Sequence, residues 1–533
     1  MRKGKGADRV VAGITLAAAA LLLFPAVAPG QSGEYELLWH RYLADPIYTT
    51  TAVSDPAKMV LAGNWCNPPK EAEAIPLFGD GTPDWVFPGT EFYVDASRQA
   101  EVVAGLDYTS ADSTVTVMEW QSNSSVPLWT YRIHPCRALD ANGWSAGKGV
   151  QVSDDGSTIS VVVNMFTTGG LKARLYVFDA GSSTPVVSYD LPGASAASAL
   201  AITPQGSYVA VYAWPSIYVY DRPALVLRWS GSCGAGNDAL AISGDGRYLS
   251  WGWSTVYLRE WTGSTYQQIW STTRPGMYAS ECALSIDGST LAVGWYEYPS
   301  FARTVIEVRE LPSLSLLWEY DYVAAGASDV PADRERITDV PSEMVWSTDS
   351  QHLAVASWGG NFPEIHVFGR AVSTPLAVMD TPGTMFDIDV VTTQLGETYV
   401  SACGKHVHAG QSGRGADLYA LVVHGWADVA DGSEDGAPSG WPGAGLLGSW
   451  PNPTSAHAAI AFELASAGPA RLGVYDVSGR LVRMLLDGPV SGGRQEASWD
   501  GTDTSGTSVA SGLYVARLEA GGAVRHHKMV VLR

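Results

Sequence analysis

Five tryptophans occupy corresponding positions in similar stretches of the chain. They are Trp65, Trp214, Trp253, Trp295 and Trp358, and each follows an apolar run that is typical of a β-strand. An indole face can stack on a sugar ring or a peptide side chain, so indoles at equivalent strand ends could form one ligand-binding surface. The alternative is that these indoles pack between neighbouring sheets as core residues.

No catalytic residue is predicted. The stretch "GWSAG" at 143–147 fits the pattern Gly-x-Ser-x-Gly. That pattern makes a serine nucleophilic only on a sharp turn between a strand and a helix, where the helix N-terminus supplies an oxyanion donor. No helix-forming segment follows here, so we interpret the motif as a chance match.

The metal-ligand types are too few or wrongly spaced to predict a site. His406 and His408 alternate, which would place both on one face of a strand, but two ligands do not specify zinc. The clusters "WDGTDTSG" (499–506) and "DGSEDG" (431–436) join carboxylates with glycine without the twelve-residue calcium-loop pattern. No cofactor is predicted, and Ca²⁺ stays an open alternative.

The chain has five cysteines, an odd number that leaves at least one thiol unpaired. Cys66 and Cys136 fall in connections that the predicted fold places on the same face as the five indoles. They could form a disulfide, although the sequence does not establish the pairing.

These residues are positioned by a repeat. "SIDGSTLAVGW" begins at Ser285, "SGDGRYLSWGW" at Ser243 and "SDDGSTISVVV" at Ser153. The Asp-Gly step indicates a β-hairpin, because glycine adopts the positive φ of a tight turn. Each unit then continues with a third strand and a fourth strand that usually contains tryptophan.

The fourth strands determine the number of units. Seven of them are predicted at 83–87, 127–131, 185–189, 225–229, 267–271, 316–320 and 375–379. An eighth, "ELLWHRY" (36–42), precedes the first complete unit, and the last unit lacks a fourth strand. We therefore predict an all-β fold: an eight-bladed β-propeller, with seven blades as the alternative, closed by its N-terminal strand.

The repeat pattern resembles the WD-repeat and quinoprotein-type propeller superfamily. The tryptophan of the fourth strand resembles the docking motif of quinoprotein propellers, whereas the Trp-Asp dipeptide of WD repeats is missing.

The C-terminal region differs in pattern. Residues 425–449 are rich in Gly, Ser and Pro and predict a linker after the propeller at 31–424. Alternation at 458–464, 470–476, 480–486, 495–500, 512–519 and 525–532 predicts a β-sandwich at 450–533. "PNP" (451–453), "VYD" (474–476), "WDG" (499–501) and "SGLY" (511–514) resemble the FlgD-like immunoglobulin-like domain, which overlaps with type IX secretion sorting domains. The resemblance implies an export or surface-attachment role.

The N-terminus predicts export. A basic stretch precedes the apolar run "VVAGITLAAAALLLF" (10–24), and small residues follow, so residues 1–30 are predicted to be a cleaved signal peptide. No later stretch predicts a membrane span. The formal net charge of −21 disfavours nucleic acid as a partner.

We therefore expect a secreted or cell-surface bacterial protein that binds an extracellular glycan or protein without catalysis. The C-terminal domain would contact the secretion or attachment machinery. Two alternatives remain open: a propeller enzyme, either a quinone-dependent dehydrogenase or a glycan-active hydrolase, and a structural surface-layer or appendage component.

Overall fold

The computed structural model consists of two compact units, residues 1–427 and 428–533. The structure describes residues 35–45, 47–65, 70–99, 101–139, 149–222, 224–233, 239–301, 303–321, 340–359, 363–393, 396–408, 414–423, 444–450, 454, 457–464, 467–476, 480–491, 493–520 and 523–531. All regular elements in these ranges are strands. The predicted signal peptide at 1–30 lies outside the described residues.

The strands of the first unit are short and mostly apolar. The first seventeen are β1 (Tyr35–Leu43), β2 (Ile47–Ser54), β3 (Met59–Trp65), β4 (Glu71–Pro76), β5 (Trp85–Pro88), β6 (Phe92–Ala96), β7 (Val102–Thr109), β8 (Thr114–Gln121), β9 (Trp129–Ile133), β10 (Cys136–Arg137), β11 (Val150–Val152), β12 (Thr158–Thr167), β13 (Gly170–Asp179), β14 (Val187–Asp190), β15 (Ala196–Ile202), β16 (Tyr208–Trp214) and β17 (Ser216–Asp221). The remaining ones are β18 (Val226–Ser232), β19 (Leu240–Ile242), β20 (Tyr248–Gly252), β21 (Val256–Trp261), β22 (Tyr266–Thr272), β23 (Met277–Leu284), β24 (Thr290–Glu297), β25 (Thr304–Glu310), β26 (Leu316–Asp321), β27 (Pro341–Trp346), β28 (His352–Ser357), β29 (Ile365–Gly369), β30 (Pro375–Met379), β31 (Met385–Thr392), β32 (Thr398–Lys405) and β33 (Ala416–Val423).

These strands form a β-propeller. In the described part of the first unit they make eight antiparallel sheets. Seven have four strands and one has five, because β10 and β11 both pair with β12. The innermost strands touch one another in a closed circuit, β2 to β6, β11, β15, β19, β23, β27, β31 and back to β2. A ring of twisted sheets around a central channel is the propeller arrangement.

The repeated Ser-x-Asp-Gly stretches are turns between the first and second strands of a sheet. In one of them Ser285 Oγ donates to Asp287 Oδ1 (2.6 Å), and Oγ accepts the N–H of Thr290 (2.9 Å). Gly288 has a φ of 68°, which a residue with a Cβ adopts only with strain. The motif recurs because each hairpin needs the same local hydrogen bonds.

Tryptophans of several outermost strands fasten one sheet to the next. The indole N–H of Trp318 donates to the carbonyl of Arg370 in the following sheet (2.8 Å), and its ring lies 5.1 Å from that of Phe368. Trp85 donates in the same way to Ser122 (2.8 Å). The indole supplies both apolar area and a directed donor, which explains its recurrence in the fourth strand.

The first strand joins the last sheet, as the sequence predicts. β1 pairs antiparallel with β33 from Tyr35–Val423 to Leu43–Ala416. Trp39 is buried and donates to the carbonyls of Pro76 and Leu77 in the first complete sheet (3.1 Å each). β1 is therefore joined to the last sheet by backbone hydrogen bonds and to the first complete sheet by the Trp39 side chain.

The second unit is a two-sheet sandwich. Its strands are β34 (Ala444–Trp450), β35 (Ala458–Leu464), β36 (Gly468–Asp476), β37 (Leu481–Val490), β38 (Gly493–Trp499), β39 (Gly512–Ala520) and β40 (Ala523–Val531). One sheet has the order β34-β35-β38 and the other β37-β36-β39-β40. Trp499, Phe462 and Leu472 belong to the buried core between them.

The last six residues of the predicted linker at 425–449 are part of a strand. Residues 444–449 belong to β34, which pairs with β35 from Ala444–Leu464 to Trp450–Ala459. The stretch "AGLLGS" contains only two large apolar side chains among small ones, so it has no strand-like alternation of its own. Pairing to the apolar strand β35 supplies the backbone hydrogen bonds that hold it extended.

Candidate functional site

Three of the five predicted indoles are exposed at the end of a second strand. Trp65 ends β3 and is 40% exposed, Trp214 ends β16 and is 48% exposed, and Trp253 follows β20 and is 37% exposed. Their strands are equivalent, so the three indoles lie at the same end of their sheets. These side chains remain available to a ligand.

The other two indoles of the predicted set, Trp295 and Trp358, are buried. Trp295 is 0% exposed because β24 continues past it to Glu297, and its N–H donates to Glu307 Oε2 (3.2 Å). Trp358 is 8% exposed and packs with Tyr296 and Val340. Both pack in the protein interior, which is the alternative role for these residues.

Around Trp253 the structure assembles five aromatic residues, which we call the aromatic patch: Trp253, Tyr278, Tyr296, Tyr298 and Phe301. The ring centroids of Trp253 and Tyr278 are 5.0 Å apart, and Tyr298 meets Tyr278 edge-on at 5.5 Å. Phe301 stacks on Tyr296 at 5.8 Å with nearly parallel planes. Tyr298 is 52% exposed, so the patch presents both an indole and a phenol to solvent.

The loop between β24 and β25 positions two residues of this patch, Tyr298 and Phe301. The N–H of Phe301 donates to the carbonyl of Glu297, and the N–H of Tyr298 donates to the carbonyl of Gly276 (2.9 and 3.0 Å). The second bond ties the loop to the connection before β23, so the rings are held from two sides. Buried Trp358 packs against Tyr296 beneath the loop.

Charged groups adjoin the patch. The guanidinium of Arg303 donates to Asp321 Oδ2 (2.9 Å), and this hydrogen bond raises the pKa of Arg303. Ser300 donates to Glu297 Oε2 (2.5 Å). Aromatic faces beside hydrogen-bonding groups can bind sugars or peptide side chains. Burial raises the pKa of Tyr296 above its ordinary value.

Sequence reasoning missed four of the five members of the patch, Tyr278, Tyr296, Tyr298 and Phe301. The stretch "WYEYPSF" (295–301) places four aromatic residues in seven positions next to a proline, which is an unusual composition for a connection. This density of aromatic residues is the sequence signal that indicates the patch. The repeat itself points only to the tryptophan of this stretch.

The predicted disulfide is not tested by the structure. Cys136 is buried, its Sγ lies 3.2 Å from the carbonyl oxygen of Ile133, and burial raises its pKa to about 11. Cys66 lies outside the described residues, as does the stretch "GWSAG" at 143–147, and the pairing stays a prediction.

The two histidines do not share a strand face, because β32 ends at Lys405. His406 Nδ1 lies 2.8 Å from Asp417 Oδ2, whereas His408 Nδ1 lies 3.6 Å from Glu364 Oε1. They therefore contact different carboxylates. Among the described residues no group of three or more His, Cys, Asp or Glu could hold a metal ion.

One protein family is similar to the second unit. Residues 452–523 match the FlgD Ig-like domain family, which confirms the resemblance of the tail. No curated protein sequence matches the chain. In the part of the chain that the structure describes, no helix has the length and apolar character of a membrane span.

Solved β-propellers are similar to the chain at low identity. The β-propeller domain of Myceliophteria thermophila Cps50 (Swd1) has 10% identity and a TM-score of 0.41, covering 72% of this chain and 99% of that one. The C-terminal WD40 domain of Sif2 has 12% identity and a TM-score of 0.48, covering 74% of this chain and 100% of that one.

Proposed function

We propose that the protein is a non-catalytic binding or scaffold protein whose propeller, a ring of eight blades spanning 31–424, binds a glycan or a protein ligand at the aromatic patch. The closed circuit of innermost strands and the pairing of β1 with β33 support the eight-bladed ring. Trp65 and Trp214 are secondary contacts for an extended ligand.

The observation that carries this proposal is the exposure of Trp253 and Tyr298 within one cluster of rings. Large aromatic side chains are normally buried, because each removes 150–250 Å² from water when covered. Here both rings are fixed by neighbours and remain open to solvent. A preorganised aromatic surface loses little conformational entropy when a ligand covers it.

The tail supports a location at the bacterial cell surface. We propose that residues 1–30 are a signal peptide that directs secretion, and that the FlgD-like domain at 450–533 serves export, type IX-like sorting or surface attachment. In this proposal the segment 425–443 separates the domains, and the secretion or attachment machinery contacts only the tail.

Array binding with the full chain tests the proposal. We expect the wild-type protein to retain one class of glycan or peptide, and Trp253→Ala and Tyr298→Ala each to weaken binding at least about tenfold, as for aromatic hot spots. Leu128→Ala is the matched control, since Leu128 is 52% exposed and directly precedes β9, in a different sheet from the patch. Equal binding by all three variants would exclude the aromatic patch as the ligand site.

The same experiment separates the alternatives. A glycan-active hydrolase would cleave the retained glycan, and a quinone-dependent dehydrogenase would require Ca²⁺ and show cofactor absorbance after reconstitution. A surface-layer or appendage component would self-associate without any ligand. Retention without turnover or self-association is the result that the binding proposal requires.

A further inference from the structure

Exposed aromatic side chains occur at one end of four successive sheets of the propeller. Besides Trp214, Trp253 and Tyr298, Phe166 near the end of β12 is 43% exposed. β12, β16, β20 and β24 each follow the innermost strand of their sheet, so these four rings lie at the same end of the propeller. Their sheets are consecutive, because β11 contacts β15, β15 contacts β19 and β19 contacts β23. We call the four rings the aromatic arc.

Hydrogen bonds between neighbouring sheets keep members of the arc side by side. Asn164, two residues before Phe166, donates to the carbonyl of Ala197 in the next sheet (3.1 Å) and accepts the N–H of the same residue (2.7 Å). Ala197 belongs to β15, whose partner β16 carries the next ring of the arc. Further round the ring of sheets, the carbonyl of Trp253 accepts the N–H of Ala279 in the following sheet (2.7 Å).

The two rings outside the aromatic patch, Phe166 and Trp214, also have a fixed backbone. The N–H of Phe166 donates to the carbonyl of Pro135, and the carbonyl of Trp214 accepts the N–H of Ser195 (3.0 Å each). A surface that is held in this way loses little conformational entropy when a ligand covers it.

The arrangement of the arc favours a long ligand with a repeating unit. Packed β-sheets lie about 10 Å apart, so rings on four successive sheets extend over roughly 30 Å. A protein side chain binds best in one compact, desolvated cluster, whereas Phe166 and Trp214 stand on separate sheets outside the aromatic patch. A polysaccharide presents an apolar C–H face on every sugar, and an aromatic ring can stack on that face while the hydroxyl groups stay hydrated.

The charge of the chain favours an uncharged polysaccharide. The formal net charge of −21 repels glycans that carry uronate or sulfate groups. One carboxylate adjoins the arc directly, because Glu297 precedes Tyr298 and accepts a hydrogen bond from Ser300 (2.5 Å). A neutral glycan avoids this repulsion and can still donate hydroxyl protons to a carboxylate.

We propose that the aromatic arc binds an uncharged linear polysaccharide, whose sugars stack on Phe166, Trp214, Trp253 and Tyr298 along one chain. This inference rests on the proposed function, because it names the class and the length of the ligand of the aromatic patch. The patch holds one part of the polysaccharide, and the other two rings bind parts further along it. Each further contact forms at a high effective concentration once the first is made, so affinity should rise with chain length.

Isothermal titration calorimetry of the full chain with oligosaccharides of defined length tests the arc. The probes are cello-, manno- and chito-oligosaccharides, each from the trisaccharide to the octasaccharide. We expect the octasaccharide of at least one series to bind at least about tenfold more tightly than its trisaccharide. Phe166→Ala and Trp214→Ala should each weaken octasaccharide binding at least about threefold and leave trisaccharide binding unchanged, because the trisaccharide reaches only the aromatic patch.

Phe78→Ala is the matched control for Phe166→Ala. Phe78 is 44% exposed, but it follows the end of β4, which lies at the opposite end of its sheet from Trp65. This variant should bind every oligosaccharide as the wild type does. If Phe166→Ala does not fold, Trp214→Ala decides.

The outcomes separate the arc from the proposed function. Equal affinity for all chain lengths, or octasaccharide binding by Phe166→Ala and Trp214→Ala that equals that of the control, would overturn the arc even where Trp253→Ala weakens binding. Retention of a peptide or protein at the aromatic patch, with no oligosaccharide of the three series bound, would also overturn it and leave the binding role in place. The proposed function itself fails if Trp253→Ala and Tyr298→Ala leave the binding of every retained ligand unchanged.

Discussion

Replacing Trp39 tests whether β1 closes the ring of sheets. Trp39 lies in β1 and is buried among Tyr48, Leu77 and residues of the last sheet. Its indole N–H is shared by the carbonyls of Pro76 and Leu77. Trp39→Phe keeps most of the apolar contact and removes the donor, whereas Trp39→Ala removes both.

The magnitudes follow from these contacts. Trp39→Phe leaves two carbonyls without their indole donor and should cost about 1–2 kcal/mol. Trp39→Ala adds the lost burial and a cavity, for a total of about 3–5 kcal/mol. The lost contacts join β1 to the first complete sheet. The loss of stability should therefore be concentrated in the strands where the ring closes.

Urea denaturation of both variants gives the free energy of unfolding, and hydrogen exchange locates the weakened strands. We expect faster exchange in β1 and β33 than in β19–β22, with Trp253→Ala as the exposed-indole control near wild-type stability. Wild-type stability in Trp39→Ala, or equal changes of exchange in all sheets, would refute the role of β1 as the closing strand.

Three further predictions concern turns, pH and metal. Gly288→Ala should lower the free energy of unfolding by about 1–2 kcal/mol, because the φ angle of Gly288 is 68°. Gly169→Ala should have little effect, because Gly169 has no positive φ. Equal urea midpoints for the two variants would contradict this prediction. Burial lowers the pKa of His366 from 6.5 to about 3, so the unfolded chain binds a proton that the folded chain excludes, and stability should fall as pH falls from 6.5 toward 3. His366→Gln should flatten this dependence in urea titrations at several pH values, and an unchanged slope would exclude His366 as its source. Treatment with EDTA should leave the melting temperature unchanged, and a decrease that added Ca²⁺ reverses would favour the calcium alternative.

The propeller architecture was predictable because short sequence motifs determine its turns and its contacts between sheets. The Ser-x-Asp-Gly turns carry their own hydrogen bonds, and the fourth-strand tryptophans mark the contact with the next sheet. The unmatched strand at 36–42 and the incomplete last unit together predicted the pairing of β1 with β33. β34 was missed because its extended conformation depends on a partner strand rather than on its own side chains.

The site was only partly predictable. The position of an indole after a second strand predicts the end of the sheet at which the indole lies. It does not predict how exposed the indole is, because exposure depends on how far the strand continues and on what packs above it. Trp295 and Trp253 occupy similar places in the repeat, yet β24 continues beyond Trp295 while β20 ends before Trp253.

Fluorine NMR of the full chain labelled with 5-fluorotryptophan tests most directly whether the aromatic patch binds the ligand. Resonances are assigned with single Trp→Phe variants, and the ligand retained on the array is then added. The proposal predicts that the Trp253 resonance shifts in a saturable way while that of buried Trp295 stays in place. A saturable ligand that leaves the Trp253 resonance unmoved would contradict it.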